Sequence, residues 1–423
     1  MNAHRLAVLA LLAPALLTGQ AALAQGFDGA PSVAEREVNS TKPRDLTTLE
    51  PQEVLDSAKV GPAGEDTPLP DPAKIREILK TGLDWLIAHQ NEDGSWGGPG
   101  QPGPYDEFWS NITTHEAWIE ATTGLAVMTL REHPESKQAL ASAARGLDWL
   151  IDRPPPKRPS DWDTDNTWGT IYGLEALATC LKAGEPKDEK RRDAAHVSAQ
   201  KLVDQLADYQ TPNGGWGYYD FDSLAKRPSW ATSFQTAAAL AALITAREAG
   251  LDVKGRMTTR AADAIRRCRL ANGAYGYSID PIPAMHLEYI NNVKGSLSRI
   301  QACNYALLRA GANDVSRADV LAGLDQFFEH HRFLDVARKK PIPHEAYYYN
   351  SGYFYFFGHF YAARLLDLLD PADRARYAAR LAREIVKTVE PDGSMWDYYM
   401  CSYGSCYGTA FGMSTLTRTL PER

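Results

Sequence analysis

From Asp71 onward the chain alternates two kinds of helical pattern. In the first, apolar residues recur three and four apart and charged residues fill the remaining face: about 72–90, 137–152, 191–209, 257–269, 316–331 and 372–390. In the second, nearly every position is apolar or small: about 112–131, 166–183, 230–249, 295–310, 351–369 and 405–419. Thr236–Ala246, TAAALAALITA, shows the second kind most plainly. A one-sided helix faces solvent, whereas a helix apolar all round must be buried all round. Six of each in alternation predict an outer ring wrapped round an inner ring, an all-α closed α6/α6 toroid over residues 71–423. An open superhelix of hairpins is the competing arrangement, and the all-apolar inner layer favours closure.

A repeat underlies the alternation. Lys80–Trp96, KTGLDWLIAHQNEDGSW, reads as a helix end, a Gly-containing turn and a closing aromatic. Trp85-Leu86 is answered by Trp149-Leu150, Gln205-Leu206, Ala264-Ile265, Phe327-Phe328 and Ile385-Val386, at steps of 64, 56, 59, 63 and 58 residues. A Gly-x-aromatic follows as Gly94-Ser-Trp96, Gly214-Gly-Trp216 and Gly273-Ala-Tyr275, and in looser form as Gly393-Ser-Met-Trp396. Thr113-Thr114, Asn166-Thr167, Ser229, Ser296, Ser351 and Ser405 lie near the inner-helix starts, where they are expected to cap orphan N–H groups.

Lys80, Gly82, Trp85-Leu86, Gln90, Gly94 and Trp96 resemble the QW repeat of the squalene and hopene cyclases. The six hairpins are similar to the α6/α6 toroid shared by terpenoid cyclases and protein prenyltransferase β subunits, over about 72–420. Trp162-Asp163-Thr164-Asp165-Asn166-Thr167 resembles the Asp-x-Asp-Asp-Thr motif of class II terpene cyclases, whose middle Asp protonates an alkene. The resemblance implies Asp165 as the acid with Asp163 beside it, and Asn166 stands where the family carries its last Asp. Clustered, buried carboxylates keep one of their number protonated as a general acid. The plainer reading is that Asp163, Asp165 and Asn166 cap a helix. Family cyclases generally combine two helical domains, and one is legible here.

The prenyltransferase zinc site needs Asp, Cys and His. Asp397, Cys401 and Cys406 offer the first two, but no His follows His359 and the spacing differs, so neither metal nor cofactor is expected. Trp109, His115, Trp168, Tyr172, Trp230, Tyr347–Tyr349, Tyr353 and Tyr355 cluster at or before inner-helix starts, and a toroid would gather them at the cavity mouth. Aromatic faces suit an isoprenoid, a sterol-like ring, a carbocation or a sugar. The alternative is that they fill the ring as core. His115 and Glu116 are adjacent and point about 100° apart on a helix, which argues against an acid/base pair. Glu175 inside an apolar run is unusual, since buried carboxylates are rare without a partner.

The chain has 423 residues, 44% of them hydrophobic, and a net charge of −8. Basic His4 and Arg5, the apolar run Leu6–Leu17 and Ala22-Leu23-Ala24 read as a secretory signal over 1–24, placing the mature protein in the periplasm or outside the cell. Removing that segment takes away one Arg and moves the charge to −9. No basic stripe is present for a nucleic acid, and no stretch reads as transmembrane. Residues 25–70 are polar and Pro-rich and are expected to form an extended or disordered tether. Cys401 and Cys406 flank a short turn and could bridge in an oxidising compartment.

Function follows at three levels. The leading expectation is a small apolar, isoprenoid-like ligand in the central cavity, with residual cyclase-type acid catalysis through Asp165. Polysaccharide lyases and hydrolases also use α/α toroids, which makes a carbohydrate the second candidate. The third is a non-catalytic scaffold that binds a protein partner. A thioester toroid fails, because Gly404-Ser-Cys406-Tyr-Gly lacks the Cys-Gly-Glu-Gln arrangement.

Overall fold

The computed structural model describes residues 70–98, 112–157, 166–218, 227–280 and 289–421. Residues 1–24, 25–69, Trp109, Asp163 and Asp165 lie outside them. The compact body spans Val60–Arg423. Its outer helices are α1 (Pro72–Ala88), α3 (Lys137–Asp152), α5 (Glu189–Tyr209), α7 (Gly255–Cys268), α9 (Arg317–Glu329) and α12 (Pro371–Val386). The inner ones are α2 (Ile112–Arg131), α4 (Asn166–Lys182), α6 (Ser233–Glu248), α8 (Val293–Arg309), α11 (Phe354–Leu366) and α13 (Tyr403–Thr419). A short α10 (Arg332–Ala337) follows α9, and the described residues contain no strand beyond isolated bridges.

The inner ring closes. Each inner helix packs on the next, from α2 through α4, α6, α8 and α11 to α13, and α13 packs back on α2. The outer α1 touches both α3 and α12. Burial follows the sequence pattern: every residue of α6 from Ser233 to Ala246 is buried. In α7 only Met257, Thr258, Ala261, Ala262, Ala264, Ile265 and Cys268 are, which is one stripe. Inner helices approach closely where glycine permits it. A Cβ on Gly124 of α2 would lie 2.4 Å from the Tyr172 carbonyl oxygen of α4.

Repeat-equivalent bonds hold the turns. Trp96 Nε1 donates to Leu86 O at 2.7 Å, and Trp216 Nε1 to Leu206 O at 2.8 Å. Trp96 N donates to Thr123 Oγ1 and Trp216 N to Thr236 Oγ1, each at 3.0 Å. Gln90 Nε2 reaches Gly94 O and Ser142 O, as Gln210 Nε2 reaches Gly214 O and Met257 O. In the last repeat the equivalent residue is Met395, whose N donates to Thr409 Oγ1 at 2.9 Å. Met395 is buried, while Trp396 is half-buried beneath the Lys339 ammonium. The looser Gly393-Ser-Met-Trp396 reading therefore shifts by one residue, because a thioether fills the hole an indole fills elsewhere.

Capping differs from expectation. Side-chain caps sit on outer helices: Asp71, Ser136, Asp188, Ser316 and Asp370 each accept from a first-turn N–H. At the inner starts, Ser296 Oγ donates to Tyr275 O, Thr167 Oγ1 to Gly217 O, and Ser351 Oγ accepts from His344 N. These hydroxyls tie neighbouring loops together instead. Asn292 alone among the described inner-helix starts accepts a capping bond, from Lys294 N at 3.0 Å.

Candidate functional site

A cavity of about 320 Å³ opens among the N-terminal halves of the inner helices. Five of those helices reach it: α2 with Trp118, α4 with Trp168 and Tyr172, α6 with Phe234, α11 with Phe354 and Phe357, and α13 with Tyr403, Tyr407 and Phe411. Loops add Tyr218, His344, Tyr353 and Tyr398–Met400. The spacing is helical. Trp168/Tyr172 and Tyr403/Tyr407/Phe411 stand four apart, so each series forms one stripe on one face. The rings interlock: Trp168 stacks on Tyr172 with centroids 5.9 Å apart, and Phe234 meets Phe354 edge-on at 5.3 Å. No Asp, Glu, Lys or Arg lines the cavity among the described residues.

The polar groups of the wall are mostly engaged behind it. Tyr407 Oη donates to Asp397 Oδ1 at 2.7 Å, and Phe356 N donates to Asp397 Oδ2 at 2.9 Å. Burial pushes the Asp397 carboxyl up to about 7 against the pull of those two bonds. Asp397 therefore supports Tyr407 from the core and, among the described residues, is not gathered with Cys401 and Cys406 into a metal-binding group, nor are those two cysteines bridged to each other. His344 Nδ1 lies 2.7 Å from Tyr349 O and its Nε2 lies 2.9 Å from Tyr353 Oη. Tyr277 Oη stands 3.4 Å from the same Nε2 and bonds Tyr218 Oη in turn. Burial holds the His344 imidazole below its ordinary value, and the Arg299 charge adds to this.

The residues singled out from sequence separate into groups. Trp168, Tyr172 and Tyr353 line the cavity. His115 is one layer out, its Nδ1 3.0 Å from Tyr403 Oη. Trp230 backs the wall, edge-on to Tyr218 with centroids 5.1 Å apart and donating to Ser278 Oγ. Tyr349 contributes its carbonyl to His344, and its ring packs on Tyr289. Tyr355 is core and donates to Glu384 O. Glu175 is buried in an ion pair with Arg364, whose guanidinium also lies 4.0 Å over the Phe360 ring. Sequence reasoning passed over Trp118, Phe234, Tyr403, Tyr407 and Phe411. Tyr403, Tyr407 and Phe411 carried a signal, aromatic spacing by four along one helix, whereas Trp118 and Phe234 stand singly on theirs.

A second titratable cluster lies apart from the cavity. His331, Asp335 and Glu384 bring donor atoms within 4.8 Å of one another. The Lys387 ammonium sits against both carboxylates, and His331 Nε2 faces His359 Nε2 at 3.0 Å. Burial raises the Asp335 carboxyl, but His331 and Lys387 outweigh it and hold the group well below the carboxylate range. This is an ionic network carrying its own cation.

No family model matches the chain. It is 28% identical over 200 residues to squalene–hopene cyclase of Alicyclobacillus acidocaldarius, across 35% of this chain and 30% of that protein. The chain has a terpenoid-cyclase-like α/α-toroid fold. It thus spans under a third of the length of the curated relative it matches. Among solved structures it is similar to an inactive variant of the α-1,6-mannanase GH76A of Salegentibacter sp. HEL1_6. That likeness has a TM-score of 0.54 and 10% identity, covering 81% of this chain and 99% of that one. It is also similar to a possible GH105 member from Klebsiella pneumoniae, at a TM-score of 0.50 and 13% identity, covering 90% and 98%. At such identities these two likenesses concern the fold alone.

Proposed function

We propose that the protein binds a small apolar, isoprenoid-type ligand in the toroid cavity, acting outside the cytoplasm after loss of residues 1–24. One observation carries the ligand class: the described wall is built mainly from Phe, Trp and Tyr, with no charged side chain on it. Such a wall gains from burying hydrocarbon, at about 25 cal/mol per Å² of apolar surface removed from water, and its ring faces favour electron-poor carbon. A sugar groove needs several hydrogen-bonding acids and bases, and the described wall offers none of the carboxylates. The partial match to squalene–hopene cyclase supports the same ligand class. For Asp165 two roles compete, residual cyclase-type acid catalysis and helix capping, and capping is the one expected.

Native mass spectrometry of the protein purified from its host, followed by organic extraction, tests the reading. We expect a co-purifying species that partitions into hexane or ethyl acetate, or binding of squalene and shorter polyprenyl compounds added to the delipidated protein. Binding of oligosaccharides with no polyprenyl binding would overturn it.

A further inference from the structure

The cavity ends part-way down the ring. On α13 its lining runs from Tyr403 to Phe411, which at the rise of an α-helix is a depth of about 12 Å. On α4 the lining stops at Tyr172 and on α11 at Phe357.

Below those residues the ring is filled. Phe360 of α11 packs on Phe411 with centroids 4.6 Å apart, and Tyr361 on Phe357 at 4.8 Å. Tyr361 also meets Tyr305 of α8 at 5.8 Å, so rings from α8, α11 and α13 come together beneath the cavity. Phe360 and Tyr361 are buried behind the lining and form no part of it. One turn deeper, the Arg364 guanidinium lies 4.0 Å over the Phe360 ring and pairs with Glu175 of α4. A hydrocarbon pushed past Phe411 would have to part that pair, and a buried charge left without its partner is strongly unfavourable. Two layers therefore close the floor, one of rings and one of charge.

Volume sets the measure. An apolar cavity of about 150 Å³ accepts one benzene ring. In the same proportion the 320 Å³ here holds about thirteen carbon atoms. That lies between a monoterpene and a sesquiterpene, and well short of a triterpene such as squalene.

We propose that the cavity seats one chain of about two to three isoprene units, with Phe411 at the floor setting the limit. The ligand class is then a monoterpene- to sesquiterpene-sized isoprenoid. A longer one seats only its first units and leaves the remainder outside the described wall. This rests on the apolar-ligand reading of the cavity.

The test titrates the full chain with geraniol, farnesol, geranylgeraniol and squalene, read by tryptophan fluorescence, since Trp118 and Trp168 stand in the wall. The three alcohols share one head group, so differences among them report chain length. Each isoprene unit that enters the cavity adds apolar burial, and farnesol should bind at least about tenfold more tightly than geraniol. Geranylgeraniol should bind no more tightly than farnesol, and squalene no more tightly than either. Phe411→Ala removes a phenyl ring from the floor, about the room of one isoprene unit, and should make geranylgeraniol the tightest of the alcohols. Phe411→Leu, the milder change, should move the limit in the same direction. Circular dichroism and Tm establish which variants are folded. Affinity that keeps rising by the same factor from farnesol to geranylgeraniol, tightest binding of squalene, or a limit unmoved in the folded variants overturns the proposal and leaves the apolar site standing. Binding of none of the four removes the apolar site itself, and the proposal with it.

Discussion

Trp85 and Asp392 are 307 residues apart in sequence, and the indole Nε1 of one donates to Oδ2 of the other at 3.1 Å. Trp149 makes the same bond to Asp93 Oδ2 at 2.9 Å. Both aspartates precede a turn glycine, and each accepts from the N and Oγ of a serine two residues on, at 3.0 and 2.7 Å. The joint that closes the ring is therefore chemically the joint between the first two repeats. First and last units meet as neighbours do.

Replacing Trp85 by Phe keeps the buried ring and removes the donor. We expect a loss of about 1 kcal/mol, read from the urea midpoint, and a similar loss for Trp149→Phe. A Trp85→Phe/Asp392→Asn double-mutant cycle should show coupling between the two. Strict additivity would mean that this bond does not hold the closure.

The repeat turns make a sharper demand. Gly214 and Gly250 have similar φ, +95° and +89°. A Cβ on Gly214 would lie 2.6 Å from the Arg260 carbonyl oxygen, whereas one on Gly250 would meet nothing within 4 Å. Gly250→Ala should cost only the left-handed backbone term, about 1–2 kcal/mol. Gly214→Ala should cost clearly more, because a backbone carbonyl on the next outer helix must move. Equal urea midpoints for the two variants would contradict the described packing.

A buried acid supplies a test by pH. Glu120 of α2 is packed against Gly173 of α4, and burial pushes its carboxyl up to about 8 despite the opposing Arg153 charge. Folding thus favours the protonated form over the ordinary value of 4.5. Its stabilising effect is complete below the unfolded value and is lost as pH rises toward 8. Glutamine resembles the protonated acid, so Glu120→Gln should change Tm little at pH 5 and raise it at pH 8. Differential scanning calorimetry at both values checks this. An equal shift at the two would show that Glu120 titrates normally.

The fold was legible because two periodicities agree. Gly94-Ser-Trp96 and Gly214-Gly-Trp216 mark one unit, and helices such as α6, apolar on every side, have no place except an inner layer. The same uniformity hid the site. In a helix buried all round, hydropathy does not separate the face turned to the cavity from the faces turned to neighbours. Only the aromatic spacing of Tyr403, Tyr407 and Phe411 distinguishes it. His344 was illegible for another reason. It reaches the cavity through left-handed backbone at residues that do not favour it, and local propensity argues against that conformation. Glu175 misled because its partner Arg364 is 189 residues away.

Asp165 divides acid catalysis from helix capping. It immediately precedes Asn166, the first residue of α4, in the chain. A carboxylate at that sequence position has a favourable charge–dipole interaction when ionised, and Asn is nearly as good a cap without the charge. We therefore expect Asp165→Asn to cost only a few tenths of a kcal/mol at neutral pH, read from the urea midpoint. A protonated catalytic acid behaves oppositely: removing it leaves the fold at least as stable and abolishes any cyclisation. Both proteins should be incubated with squalene and shorter polyprenyl compounds, and the extracts compared by mass spectrometry. Asn166 at the last acidic position of the motif weakens the coupling that would keep Asp165 protonated, so the cap is the expected outcome. A cyclised product formed by the wild type and absent with Asp165→Asn would assign Asp165 as the acid.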